Sequence, residues 1–121
     1  MAALSIAFEK PDNYRGAPSH NTPIDLVHLA RQTSGDQSLE LEVLHAFARQ
    51  ARNCMAELSS GTPDVVIQAA HRLRGAAEAV GAFTVSKAAG RMEENASDSE
   101  GLANLAAAVI EAETFILKLS R

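Results

Sequence analysis

The chain has 121 residues, 46% of them hydrophobic, which is enough for one domain with one core and leaves little room for a second. Aromatic residues make up only 4% and tryptophan is absent, while alanine is abundant, so closely packed helices are favoured over a β-sandwich. The formal net charge of -4 comes without the basic stripe of a nucleic-acid binder, Arg72 and Arg74 being a local exception.

Residues 1–21 read as a flexible N-terminal tail. The opening MAALSIAFEK has no basic region ahead of its apolar residues, and those are too few for a secretory signal or a membrane span. The stretch PDNYRGAPSHN that follows mixes proline, glycine and polar residues without apolar periodicity. Cys54 is the single cysteine, so no intramolecular disulfide can form, and the cytoplasm is the expected compartment.

Residues 22–121 read as one helical domain. Thr22 can cap a short first helix whose first position is Pro23 and which Gly35 ends. Asp36 or Ser38 opens a longer helix with Leu44, Phe47, Ala48, Ala51, Met55 and Leu58 on one stripe, stopping at Gly61. Thr62 and Pro63 repeat the cap-and-proline start for a third helix, which Gly81 loosens or ends. Phe83 to about Asn95 forms a fourth, with Val85, Ala88, Ala89 and Met92 inward and Gly90 as an irregularity. The last carries Leu102, Leu105, Val109, Ile116 and Leu119. The expected fold is all-α, an antiparallel four-helix bundle with a short extra N-terminal helix.

The third helix carries the chemistry. Val66, Ala70, Leu73, Ala77 and Val80 recur at three- and four-residue steps and form its buried stripe. At about 100° per residue His71 falls roughly 140° from the centre of that stripe. Gln68, Gly75 and Glu78 share the outward side. A glycine inside a helix costs roughly 1 kcal/mol relative to alanine, so Gly75 invites a reason, and one turn from His71 that reason is clearance. Neutral imidazole has a ring nitrogen able to attack phosphorus, and an unperturbed histidine is largely neutral near pH 7. Phosphoryl transfer asks a protein mainly for positioning and charge stabilisation, and Arg74 offers charge-assisted hydrogen bonds to a phosphate.

The run His71, Leu73, Arg74, Gly75, Ala76, Ala77, Val80, Gly81, Ala82 resembles the signature of the histidine-containing phosphotransfer (HPt) domains of bacterial two-component phosphorelays, and the wider resemblance spans roughly Thr22 to the C-terminus. It implies that His71 accepts a phosphoryl group from the aspartyl phosphate of one response regulator receiver and passes it to another. Arg74 would then be the phosphate-stabilising cation and Gly75 the clearance position. The family more often has lysine where this chain has Arg74, and arginine keeps the charge while being bulkier and forked. The partners implied are receiver domains and a hybrid or sensor histidine kinase, with Mg²⁺ in the receiver and no cofactor in this chain. Gln68, Arg72 and Glu78 border the same face as partner-binding candidates.

The chain has no P-loop and no glycine-rich nucleotide loop, so a phosphoryl carrier without ATP-dependent kinase activity of its own is expected. Two rivals stand beside it. One is a helical interaction module that binds a receiver or kinase without being phosphorylated. The other is a hydrolytic or metal-dependent enzyme with His71 as general base, which requires a convergent nucleophile or carboxylate; no serine, cysteine or aspartate stands at the matching helical offsets. His20, His28 and His45 lack the spacing of metal ligands, and no metal site is expected. The acidic run Glu93, Glu94, Asp98 and Glu100 reads as a solvated helix end, and spacing does not decide whether Lys87 reaches the phosphate. No nucleic acid or membrane partner is expected, and a monomer is.

Overall fold

The structure, a computed structural model, describes residues 22–121. The expected tail lies outside the described residues. Five helices follow one another: α1 (Leu26–Thr33), α2 (Gln37–Ser60), α3 (Pro63–Val80), α4 (Phe83–Glu94) and α5 (Ser99–Leu119), with no strand among the described residues. α2 packs on α3, α3 on α4, α4 on α5, and α5 returns to α2. Joined by short connections, these four close an antiparallel bundle. α1 is the extra element, lying against α2 and α3.

Carboxylates cap three of the five helices, α1, α2 and α5. Asp36 accepts the Leu39 N–H at 3.0 Å to cap α2, and Asp98 accepts the Gly101 N–H at 2.9 Å to cap α5. α1 departs from expectation, because its cap is Asp25 and its first residue Leu26. Asp25 Oδ1 accepts the Val27 and His28 N–H groups at 3.0 and 3.1 Å, while the Thr22 hydroxyl donates to the Ile24 carbonyl at 2.9 Å and so does not serve the helix. α3 starts as expected, with Thr62 in the cap position and Pro63 first, although the Thr62 side chain makes no capping hydrogen bond.

The turn between α3 and α4 positions the site. Gly81 ends α3 at φ 84°, a left-handed conformation that favours glycine, and its carbonyl accepts the Asp25 N–H at 2.9 Å. A Cβ there would stand 2.9 Å from the Asp25 carbonyl oxygen. His28 adds an Nε2 contact to the Ala79 carbonyl at 3.2 Å and an edge-on contact with the Phe83 ring, centroids 5.3 Å apart. α1 is thereby fastened across the turn.

The core alternates bulky and small residues. Leu29, Leu44, Leu73, Met92, Leu105 and Ile116 are fully enclosed, each burial contributing about 1.5–3 kcal/mol. Ala51, Ala69, Ala77, Ala89 and Ala112, also buried, let the helix axes approach closely. The expected stripe of α3 is buried throughout, and Cys54 lies in the core between the stripe residues of α2. Three details differ. Ala88 is only half-buried, and Ser86 takes the inward place on α4, where its hydroxyl donates to Glu78 Oε2 at 3.0 Å. Leu119, at the last position of α5, is 38% exposed and lines a groove with Leu26 and Leu41. α4 also runs through Gly90 without a break.

Candidate functional site

α3 presents His71 as its periodicity predicts. The side chain is 68% exposed, and Gln68, Gly75 and Glu78 are exposed on the same outward side. A Cβ built on Gly75 meets nothing within 4 Å, so the helix surface one turn beyond His71 is open. Packing between helices does not require a glycine here. The open space lies where a partner would have to approach the imidazole.

The neighbouring helix contributes a residue that α3 alone could not reveal. Glu93, in the last turn of α4, places Oε2 2.9 Å from His71 Nδ1 and Oε1 3.0 Å from the nearer terminal nitrogen of Arg74. Its side chain is only 18% exposed. Oε1 is fully covered and has no aligned hydrogen-bond donor, so the Arg74 contact is a charge pairing without good hydrogen-bond geometry. Glu93 is therefore not part of a solvated helix end, as the acidic run suggests. Asp98 and Glu100, from the same run, pair with Arg91 at 2.7 and 3.2 Å. The Gly101 N–H, followed by Arg91, holds the Asp98 carboxyl below its ordinary value.

Arg74 reaches Glu93 by crossing α4 at Gly90. A Cβ on Gly90 would stand 3.6 Å from Arg74 Cδ, in ordinary van der Waals contact with the arginine stem. With one terminal nitrogen directed at Glu93, the remaining guanidinium donors of Arg74 stay available, and the side chain is 42% exposed. His71 Nε2 has no partner among the described residues.

The other expected site residues divide. Gln68 and Arg72 line a surface groove with Ile67, His71 and Glu93. The Arg72 guanidinium nevertheless turns toward α2, where it hydrogen-bonds Glu57 beside Cys54. Burial pushes the Cys54 thiol above its ordinary value, with Arg72 opposing, which leaves it a packed and unreactive thiol. Glu78 lies about 10 Å along α3 from His71, at 1.5 Å per residue, and is held by Ser86. It does not line the groove. Neither does Lys87, six residues before Glu93 on α4.

Chemically, the site offers an exposed imidazole oriented through one nitrogen, an adjacent cation, and a clear approach. The carboxylate that a general-base enzyme would need does converge on His71, from α4 and not from a helical offset on α3. Among the described residues no hydroxyl or thiol lines the groove to act as its nucleophile. No group of three or more histidine, cysteine, aspartate or glutamate side chains among the described residues could hold a metal ion. No helix among them is long and apolar enough to cross a membrane.

The family model of the Hpt domain matches residues 38–117, a span that takes in almost all of α2 and α5 and the whole of α3 and α4. This chain belongs to the Hpt domain family. No curated protein and no solved structure matches it. As an Hpt domain it has a phosphotransfer-related role in phosphorelays, where such domains interact with response regulator receivers and kinases. α1 precedes the matched span, so the element that fastens the α3–α4 turn lies outside the part of the Hpt domain that the family model describes.

Two residues of the groove escaped the sequence, Glu93 and Ile67. Ile67 is 39% exposed and stands one turn before His71; a lone exposed apolar residue carries no signal of its own. Glu93 did leave a trace. The cross-helix pairs His71 with Glu93, Arg74 with Gly90 and Glu78 with Ser86 are all symmetric about Ala82. Folding the two helices back about a tight turn at Gly81–Ala82 would have placed Glu93 opposite His71.

Proposed function

We propose that this Hpt domain is a histidine phosphotransfer protein that takes a phosphoryl group from a receiver-domain aspartyl phosphate onto His71 and passes it to the aspartate of another receiver. One observation carries the reading: an exposed imidazole with Nδ1 engaged by a carboxylate, Nε2 without a partner among the described residues, and a cleared helix face beside it at Gly75. Nε2 attacks phosphorus with its lone pair, an N–P bond forms, and the P–O bond breaks with its electron pair leaving on the donor aspartate. The reverse step delivers the phosphoryl group to the next receiver. Positioning and charge stabilisation do most of the work in such transfers.

Arg74 supplies the cation on the phosphate side through the guanidinium donors that Glu93 does not engage. Gly75 leaves room for the phosphate and the incoming receiver, and Gln68 and Arg72 sit at the rim of the docking face. Mg²⁺ belongs to the receiver. The chain works as a cytoplasmic monomer, since one bundle buries its own core and transfer requires His71 uncovered. The alternative, a binding module that is never phosphorylated, gives no reason for the clearance at Gly75.

The test is transfer of labelled phosphate from phosphorylated receiver domains, with Mg²⁺ and without ATP, to the native chain and to His71→Gln. Acid-labile, alkali-stable label on the native chain alone is the expected result. Equal label on His71→Gln would move the site elsewhere, and no label from a broad panel of receivers would favour the binding module.

A further inference from the structure

We propose that the apolar run at residues 1–8 of this chain docks on the outer face of α5, over Ile110 and Leu117 and the groove beside Pro23, with the polar residues 9–21 as its tether. The proposal is independent of the phosphotransfer reading.

α5 is apolar on two sides. Its inward stripe, Leu105, Ala108, Val109, Ala112 and Ile116, is buried in the core. Its outward stripe, Ala103, Ala107, Ile110, Thr114 and Leu117, recurs at alternating four- and three-residue steps and is exposed throughout. The helix has only four charged residues, Glu100, Glu111, Glu113 and Lys118. A helix that is apolar all round belongs in the interior of a structure. Ile110 and Leu117, 60% and 62% exposed, are the most exposed large hydrophobic residues among those described, and they stand two turns apart on that one stripe. A contiguous apolar face of this kind marks a place where something binds.

The chain itself supplies the cover. Pro23, next to the first described residue, lines a groove on α5 with Ile110, Glu111, Thr114, Phe115 and Lys118. Residues 1–21 therefore join the domain at the edge of the exposed stripe. Residues 1–8, MAALSIAF, are apolar apart from Ser5 and have no charged side chain. Glu9 and Lys10 follow directly, one charge of each sign, and the groove presents one of each in Lys118 and Glu111. The tether is long enough. Thirteen residues separate Phe8 from Thr22, and a flexible chain of that length spans roughly 20 Å. Each end of the stripe lies seven residues from Ile110, about 11 Å along the helix at 1.5 Å per residue.

The size of the face favours a tethered segment over a second copy of the chain. The stripe is about 21 Å long and about one helix diameter, 10–12 Å, across. Two copies meeting there would bury well under the roughly 1,000 Å² of a specific interface. A segment of the same chain needs far less area, because its tether holds it at an effective concentration in the millimolar range. α5 packs on α2 and α4 and not on α3, so a segment on its outer face lies on the far side of the bundle from His71. Docking there seals the apolar face and leaves the imidazole open.

The experiment uses the full chain with Phe8→Trp, which introduces the protein's single tryptophan, the native sequence having none. Emission and iodide quenching then read whether the side chain at position 8 is covered. The indole is expected to be shielded, and to stay shielded when Val65→Asp, at an exposed position on α3, is added. Adding Ile110→Asp is expected to release it, lowering the docking constant about tenfold to a hundredfold, the worth of burying one isoleucine. An indole as open to iodide as free tryptophan, or shielding that survives Ile110→Asp, would overturn the proposal. So would shielding that fades on dilution, which would assign the cover to a second copy. The pair Ile6→Cys and Thr114→Cys checks the place without an aromatic probe. Mild oxidation is expected to give an intramolecular disulfide, with Cys54 buried out of reach; intermolecular disulfides alone would overturn the proposal. Far-ultraviolet circular dichroism checks that each variant is folded.

Discussion

Replacing Gly75 with glutamine is expected to make the bundle more stable and the protein inactive, whereas a glycine kept for close helix packing would lose stability on the same replacement. The position is exposed in the interior of α3 and a Cβ meets nothing within 4 Å. A side chain can therefore be added without displacing any neighbour. Relieving a mid-helix glycine gains about 0.5–1 kcal/mol, which for a domain of this size raises Tm by about 2–8 °C. Glutamine at Gly75 would stand one turn from His71 on the same face, where it keeps a receiver from closing on Nε2. A misplacement of about 1 Å at a reacting centre can cost a hundredfold, so transfer from a phosphorylated receiver is expected to fall by at least that factor. Gly75→Ala, which adds one methyl group, is expected to share the gain in Tm and lose far less of the rate. The assay pairs thermal unfolding with rapid-quench transfer of labelled phosphate. Native transfer rates in Gly75→Gln would refute the clearance argument, and a lowered Tm would refute the open space on which it stands.

Two further predictions concern the frame. Gly81→Ala must adopt φ 84° and bring a Cβ to 2.9 Å from the Asp25 carbonyl oxygen, so it is expected to destabilise the domain by about 1–3 kcal/mol, measured by urea unfolding; an unchanged midpoint would show that α1 is not fastened there. Asp98→Ala removes the α5 cap and the partner of Arg91. Because the folded Asp98 carboxyl is held below its ordinary value of 3.8, its contribution is present above that pH and is lost as the pH falls through the lower folded value. The variant should melt below the native protein at pH 7, and the gap should close in strong acid. A gap independent of pH would refute this.

Much of the molecule was legible along the chain because helices are written locally. The stripe Val66, Ala70, Leu73, Ala77 and Val80 both predicted α3 and turned His71 outward, since 3.6 residues per turn ties every outward position to an inward one. Asp36 and Gly61 marked the ends of α2 because capping depends on a residue and its immediate neighbours. Asp25 was missed as a cap because Thr22–Pro23 carries the same local signal. What decided between them was tertiary, the bond from the Asp25 N–H to the Gly81 carbonyl.

What stands across from each outward residue depended on packing. Sequence periodicity assigned Arg72 and Glu78 to the face of His71, but long polar side chains go where a partner of the right charge or hydrogen-bonding type waits. Arg72 found Glu57 on α2, and Glu78 found Ser86 on α4. Glu93 read as one acid in a solvated run until the turn at Gly81–Ala82 folded α4 back along α3 and set its carboxylate between His71 and Arg74. The sequence by itself determined that the chain is a helical bundle with an exposed histidine beside a glycine, because those properties follow from the spacing of residues on one helix. Only the tertiary structure decided which nitrogen of that histidine is free, because that depends on a contact between two helices whose register the turn and the core set together.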